Sequence, residues 1–119
     1  MEAFKNAVKI LVVDDCDINR KLHKLLLEGE FQIDTAANGL EAVNAFNDEN
    51  YSAVIMDVDM PIMDGIEATK EIRKKSIIPI IGVTGNHNKI NICLSAGMNE
   101  VLFKPLNVDL KNIIKLWLK

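Results

Sequence analysis

Short apolar runs alternate along the chain with longer segments in which apolar residues recur every three or four positions. The runs 8–13, 53–56 and 80–83 are apolar apart from Lys9 near the start of the first run, as expected of central strands that helices cover on both faces. Run 31–36 alternates apolar and polar residues and predicts an edge strand, and 101–103 predicts a fifth, short strand. This alternation of strands and helices is typical of an α/β domain with a parallel sheet.

Apolar residues at helical spacing predict one helix after each strand. In chain order, their markers are Ile18, Leu22, Leu25 and Leu26; Leu40, Val43 and Phe46; residues 66–73; residues 90–96; and Leu110, Ile113, Ile114 and Trp117. Gly29 and Gly97 stand where the first and fourth helices should end, and we expect left-handed caps there. The fourth helix has more apolar positions than one buried stripe holds, so either part of it contacts a partner or its register is wrong.

Polar residues stand at the carboxyl ends of four predicted strands, where open parallel sheets bind their ligands. Asp14 and Asp15 follow the first strand, Asp57 ends the third, Thr84 ends the fourth and Lys104 follows the fifth. Three carboxylates at one place repel each other, and a divalent cation relieves that repulsion. We therefore expect Mg²⁺, or Mn²⁺, with Asp15 and Asp57 as direct ligands and Asp14 acting through water or orienting the others.

The same edge of the sheet offers positive charge and a hydroxyl beside the carboxylates. Lys104 and Thr84 would bind phosphoryl oxygens, and Asp57 would be the nucleophile, since an aspartate carboxylate can accept a phosphoryl group. Each residue alone has a plainer interpretation, as a helix cap, a backbone-bonded hydroxyl or a solvated lysine. Their joint placement favours a phosphoryl acceptor.

Composition restricts the classes of function. With 119 residues the chain has the size of one domain, 1–119, and its net charge of −3 gives no electrostatic footprint for nucleic acid or an anionic membrane. No signal-peptide pattern or membrane span is visible, so a cytoplasmic location is expected. Cys16 and Cys93 lack partners at metal-binding spacing and are interpreted as plain thiols. His23 and His87 are interpreted as surface residues.

Four sequence blocks resemble, in order and spacing, those of response-regulator receiver domains: LVVDDCDIN, VIMDVDMPIMDGIEATKEIR, PIIGVTGN and AGMNEVLFKPL. The resemblance covers nearly the whole chain. It implies a flavodoxin-like (βα)₅ fold, a doubly wound parallel five-stranded sheet in the order 2-1-3-4-5. The residues within these blocks, including Asn19 four residues after Asp15, most resemble those of receivers of hybrid histidine kinases and phosphorelays. The implied partner is a histidine kinase or histidine phosphotransfer domain, and a longer chain could tether the domain to a membrane sensor kinase.

The resemblance also implies a role for each residue of the site. Asp57 is phosphorylated, Asp14 and Asp15 are the acidic pair, Asp59 lends its backbone carbonyl to the metal, and Thr84 and Lys104 bind the phosphoryl oxygens. A cis peptide bond is implied before Pro105. Gly85 leaves room for the phosphoryl donor. Val101 stands where many receivers carry a switching Tyr or Phe, so a rotating aromatic switch is not expected here.

Other functions use parts of the same pattern. Asp57 and Asp59 also resemble the motif of haloacid-dehalogenase-type phosphatases, but Pro61 stands where those enzymes have Thr or Val, and they need a longer chain. A protein-binding module that is never phosphorylated would leave the intact set of site residues unexplained. Nucleotide binding lacks a glycine-rich loop after the first strand. A stand-alone regulator that signals through protein contacts is the alternative to a hybrid-kinase receiver, and neither would turn over an external substrate.

Overall fold

The computed structural model describes residues 8–106 and 108–119. The strands are β1 (Lys9–Val13), β2 (Gln32–Ala36), β3 (Ala53–Asp57), β4 (Ile80–Thr84) and β5 (Glu100–Phe103). The helices are α1 (Asp17–Leu27), α2 (Gly39–Asp48), α3 (Gly65–Arg73), α4 (Ile90–Ala96) and α5 (Leu110–Trp117), and a 3₁₀ turn (His87–Lys89) precedes α4. The predicted (βα)₅ order of elements is confirmed.

All five strands are parallel and lie in the order β2-β1-β3-β4-β5, as the receiver resemblance implied. The register pairs Asp57 with Val83 and Thr84 with Phe103. The carboxyl ends of the three strands that carry or precede Asp57, Thr84 and Lys104 therefore lie side by side.

The hydrophobic core forms two layers because successive strand residues point to opposite faces of the sheet. On one face the strands pack against α1 and α5, through Ile10, Val12, Leu27, Ile55, Ile81, Val83, Leu110 and Ile114. On the other they pack against α2, α3 and α4, through Leu11, Val13, Ala42, Val54, Met56, Ile66, Ile72, Ile80, Cys93 and Ala96. Central strands covered on both sides explain the continuously apolar runs of the sequence.

The two glycines expected to end helices behave differently. Gly97 caps α4 with φ 118°, the left-handed conformation that was predicted. The prediction for Gly29 was wrong, because α1 ends at Leu27 and its cap, Glu28, stays right-handed with φ −68°. The amides of Glu30 and Phe31 both donate to the Leu27 carbonyl, at 3.0 and 3.1 Å, so this turn satisfies the helix end without a left-handed residue.

Helix α1 turns its apolar face to solvent. Ile18 and Leu25 are 75% and 69% exposed, Leu22 and Leu26 are also exposed, and Leu27 is the buried residue of the helix. An apolar stripe on a surface helix normally faces the core. In α1 the side that faces the sheet instead carries half-buried polar residues such as His23.

Helix α4 has the predicted bounds, so its register was correct. Cys93 and Ala96 are buried against the sheet, whereas Ile92 and Leu94 are exposed. The excess of apolar residues in the sequence is therefore an exposed patch. Within the described residues, no helix is both long enough and apolar enough to cross a membrane.

Candidate functional site

Three carboxylates meet at the carboxyl edge of the sheet. Asp14, Asp15 and Asp57 each offer one oxygen, and these oxygens lie within 4.8 Å of one another. Asp57 and Asp14 are buried, while Asp15 is exposed. The prediction that these three carboxylates lie close together is confirmed.

The Asp57 carboxylate is buried with little compensation. The pKa of Asp57 is raised to about 6, chiefly by burial; the Lys104 ammonium opposes this shift, and the charges of Asp14 and Asp15 add to it. Lys104 Nζ lies 3.0 Å from Asp57 Oδ1 as an ion pair, but neither Asp57 oxygen has a well-oriented hydrogen-bond partner among the described residues. Buried carboxylate oxygens without donors are suited to a hard cation, which prefers oxygen ligands.

Lys104 is fixed by its backbone as well as by its charge. Its amide donates to the Thr84 carbonyl at 2.9 Å, which joins the ends of β4 and β5. Burial opposes the charged form of Lys104, but Asp57 and the two neighbouring carboxylates outweigh it and raise the pKa of the ammonium. The peptide bond between Lys104 and Pro105 is cis, as predicted.

The Thr84 hydroxyl is fully buried and has both a donor and an acceptor partner. It donates to Asp59 Oδ2 at 3.2 Å and accepts from the Asn86 amide at 3.1 Å. Asp59 Oδ1 is in turn ion-paired with Lys89, whose hydrogen bond lowers the pKa of Asp59. Sequence reasoning considered only the backbone carbonyl of Asp59 and missed this arrangement of its side chain.

Asp14 is held in place by the start of α1. Its Oδ1 accepts from the Cys16 amide at 2.9 Å, and its carbonyl accepts from Arg20 at 2.6 Å. Arg20 also forms an ion pair with Asp17. Cys16 is an exposed free thiol and Cys93 a buried one, in agreement with the expectation of plain thiols.

Two glycines lie near the carboxyl ends of β3 and β4 and have different roles. A Cβ on Gly65 would overlap the Asp57 carbonyl and would come within 2.9 Å of Met56 Cγ. Gly65 therefore lets the start of α3 pack directly against the end of β3, a role that sequence reasoning missed although the segment MDGIEAT contains it. A Cβ on Gly85 meets nothing within 4 Å, so the space beside Thr84 is open.

The prediction that His23 is a surface residue was wrong. His23 is half-buried, and it lines a cavity of about 480 Å³ together with Asp14, Lys104 and Leu106. Burial lowers the pKa of His23, Lys104 acts in the same direction, and Asp14 opposes both. The position of His23 off the apolar stripe of α1 predicted exposure, but that stripe faces solvent, and the side of the helix that carries His23 lines the cavity beside the site.

Val101, where no aromatic switch is expected, lies two residues before a phenylalanine that stacks on a histidine. Val101 is half-buried, pairs with Gly82 and packs on the core. Two residues later, the Phe103 ring stacks on the His87 ring with 3.8 Å between centroids and 10° between planes. His87 is exposed, as predicted, but this stack joins the turn after β4 to the end of β5.

Comparisons with known proteins agree with this architecture. The family model of the response regulator receiver domain matches residues 10–115. The chain is 42% identical over 107 residues to the sensor protein EvgS of Escherichia coli K12, covering 86% of this chain and 9% of that protein. It is 44% identical over 101 residues to a CpxR homologue of Haemophilus influenzae, a transcriptional regulatory protein, covering 82% of this chain and 44% of that protein. The chain thus spans less than half the length of these two relatives.

Solved receivers have the same fold, and two of them contain magnesium. A receiver domain of a sensor histidine kinase from Pseudomonas aeruginosa PAO1, with magnesium in its active-site cleft, has a TM-score of 0.86 and 33% identity, covering 93% of this chain and 97% of that one. The regulator TrrA of Thermotoga maritima, in complex with Mg²⁺ and BeF, has a TM-score of 0.83 and 39% identity, covering 92% and 98%. The phosphatase alternative is not supported. This chain belongs to the response regulator receiver domain family and is a receiver domain of two-component signalling.

Proposed function

We propose that Asp57 accepts a phosphoryl group from a phosphohistidine of a partner protein, in a site that also holds a divalent cation. The supporting observation is the buried, donor-poor Asp57 carboxylate, with Lys104 at 3.0 Å and two further carboxylates beside it. In the transfer, a lone pair of an Asp57 oxygen forms the new P–O bond as the P–N bond breaks. The electron pair of the broken bond stays on the imidazole nitrogen, and a proton from water leaves that ring neutral.

The cation would be Mg²⁺, or Mn²⁺, held by Asp14, Asp15, Asp57 and the backbone carbonyl of Asp59. When bound, it neutralises the carboxylates and the phosphoryl oxygens, which otherwise repel each other. The related receivers with magnesium support this choice of metal. Lys104 would bind a phosphoryl oxygen through its ammonium.

Phosphorylation by a small donor tests the acceptor directly. Acetyl phosphate or phosphoramidate with Mg²⁺ should add one phosphoryl group to the protein, measured as intact mass. The Asp57→Asn variant should not be labelled, whereas Asp48→Asn, which removes an exposed carboxylate at the end of α2, should be labelled like wild type. Chelating the metal should prevent labelling. Undiminished labelling of the Asp57→Asn variant would show that the acceptor is another residue.

We further propose that the partner is a helical histidine phosphotransfer or histidine kinase domain that docks on the apolar face of α1. Exposed residues on this face, Ile18, Leu22, Leu25 and Leu26, support the proposal, because contiguous exposed apolar patches mark interaction sites. Ile18 lies in the first turn of α1, three residues after Asp15, so this face begins next to the site. A docked partner would then bring its phosphohistidine to the carboxyl edge of the sheet.

Charge substitution on α1 separates docking from chemistry. Ile18→Lys should slow transfer from a phosphorylated histidine phosphotransfer domain about tenfold, since it places a charge in an apolar contact next to the site and a loss of about 1.4 kcal/mol corresponds to a factor of ten. Labelling by acetyl phosphate should be unchanged. Ile77→Lys is the matched control, because Ile77 is 93% exposed but precedes β4, at the opposite edge of the sheet. Equal loss with both donors would contradict docking on α1 and indicate damage to the site.

The type of protein to which this domain belongs is also proposed. We place it in a hybrid histidine kinase, supported by relatives such as EvgS and a Dictyostelium discoideum protein described as a hybrid signal transduction histidine kinase. A stand-alone regulator is the alternative, supported by a two-component response regulator of Arabidopsis thaliana that is 42% identical and of which the chain covers 75%. The single-domain range 1–119, the cytoplasmic location, and the absence of direct contact with nucleic acid or membrane stay predictions.

A further inference from the structure

We infer that Lys89 is a positioning residue for phosphoryl transfer, acting through Asp59 on the Thr84 hydroxyl. The inference rests on the proposed function, in which Asp57 is the acceptor and Thr84 binds a phosphoryl oxygen. It assigns a role to two side chains that the carboxylate cluster and Lys104 leave unexplained.

The Thr84 hydroxyl has a single proton to donate. A hydroxyl has one donor, and the oxygens of a phosphoryl group are acceptors, so Thr84 must donate this proton in order to bind one of them. That donor is already directed to Asp59 Oδ2, and the Asn86 amide occupies the acceptor side. The Asp59 carboxylate and the incoming phosphoryl group therefore compete for the same proton.

The hydrogen bond from the Thr84 hydroxyl to Asp59 is long. A carboxylate is a stronger acceptor than a neutral oxygen. The distance of 3.2 Å exceeds the usual O–H···O range of about 2.5–3.0 Å, so the hydroxyl is held loosely. Loose attachment allows the hydroxyl to leave Asp59 when a phosphoryl group arrives.

Lys89 weakens Asp59 as a hydrogen-bond acceptor. Its ammonium is ion-paired with the other oxygen of Asp59, so it offsets the charge of the carboxylate to which Thr84 donates. This weakens the competition for the Thr84 proton. It also compensates a negative charge close to the place where the phosphoryl oxygens would arrive, since Asp59 is two residues from Asp57.

A double-mutant cycle tests this chain of contacts. With saturating Mg²⁺ and phosphoramidate as donor, Lys89→Gln should slow labelling about tenfold, the size expected for one charge-assisted hydrogen bond. Asp59→Asn should speed labelling, because the amide oxygen is a weaker competitor. In the Asp59→Asn background, Lys89→Gln should have no further effect, because its action requires the carboxylate.

Conservative rescue and a matched control distinguish positioning from a structural effect. Lys89→Arg should restore the rate, because it keeps the positive charge. Lys74→Gln should label like wild type, because Lys74 is paired with Glu71 at the far end of α3. Magnesium affinity, measured by calorimetric titration, sets the Mg²⁺ concentration that saturates each variant, so that differences in labelling rate do not arise from differences in metal occupancy.

Several outcomes would overturn the inference. A wild-type rate for Lys89→Gln would do so, as would failure of Lys89→Arg to restore the rate. A tenfold loss that persists in the Asp59→Asn background would mean that Lys89 acts directly on the donor or the phosphoryl group. Failure of the proposed function has a separate signature, since Asp57→Asn would then still be labelled whatever residue stands at position 89.

Discussion

The buried Asp57 carboxylate should destabilise the metal-free protein at neutral pH. Its ordinary pKa of 3.8 rises to about 6 in the folded protein, chiefly through burial. The folded state thus holds this proton more tightly than the unfolded chain does. As pH rises from about 4 to about 6, the folded state loses stability by about 3 kcal/mol, because each tenfold change in proton affinity corresponds to about 1.4 kcal/mol.

Replacing Asp57 by Asn removes the charge and nearly keeps the shape. At pH 7.5 in a chelator, the Asp57→Asn variant should be more stable than wild type by up to about 3 kcal/mol in urea unfolding. The gap should shrink as pH falls and vanish near pH 4, where wild-type Asp57 is itself mostly protonated in the folded state. Added Mg²⁺ should stabilise wild type by about 2.7 kcal/mol at a hundredfold excess over its dissociation constant, and the variant less.

The control for general charge effects is Glu28→Gln, which neutralises an exposed carboxylate at the end of α1. It should change the free energy of unfolding by less than about 0.5 kcal/mol at any of these pH values. The reasoning is refuted if Asp57→Asn is no more stable than wild type at pH 7.5. A stability gap that stays constant between pH 7.5 and 4 would refute it as well, since burial of a charge would then not be its cause.

Three further predictions concern the switch position and the loop after β3. Beryllofluoride with Mg²⁺ should shift amide resonances strongly in the turn after β4 but only modestly at Val101 and α5; equally large shifts there would contradict a missing switch. Gly65→Ala should lower the free energy of unfolding by about 2 kcal/mol, because its Cβ overlaps the Asp57 carbonyl, whereas Gly85→Ala should not. Ile62→Gly should raise it by about 1 kcal/mol in urea unfolding, because exposed Ile62 has φ 72° in a tight turn that the Met63 amide closes on the Pro61 carbonyl; no gain would argue against backbone strain there.

The fold could be predicted from the sequence because local and global signals agree. Continuously apolar strands alternate with amphipathic helices, and Asp57, Thr84 and Lys104 follow directly from the ends of strands. These residues are positioned by the backbone, and strand ends meet at one edge in any parallel sheet. The main residues of the site could therefore be predicted from the sequence alone.

What escaped prediction depends on side-chain direction and on contacts between loops. The ion pair of Lys89 with Asp59 joins residues 30 apart in two different loops, and no periodic pattern encodes such a contact. The position of His23 was misjudged because an apolar stripe was taken to face the core. In α1 the stripe faces solvent, and periodicity alone cannot tell an apolar face that packs on the core from one that is exposed.

The exposed stripe of α1 has an evolutionary consequence. Leu27 anchors the helix to the sheet, whereas Ile18, Leu22, Leu25 and Leu26 lie outside the core. Under the docking proposed on α1, mutations in those four residues would alter which partner is recognised at little cost to folding, since exposed substitutions rarely change stability by more than about 0.5 kcal/mol. After a gene duplication, two copies of such a domain could diverge in partner choice while both remain folded and chemically competent.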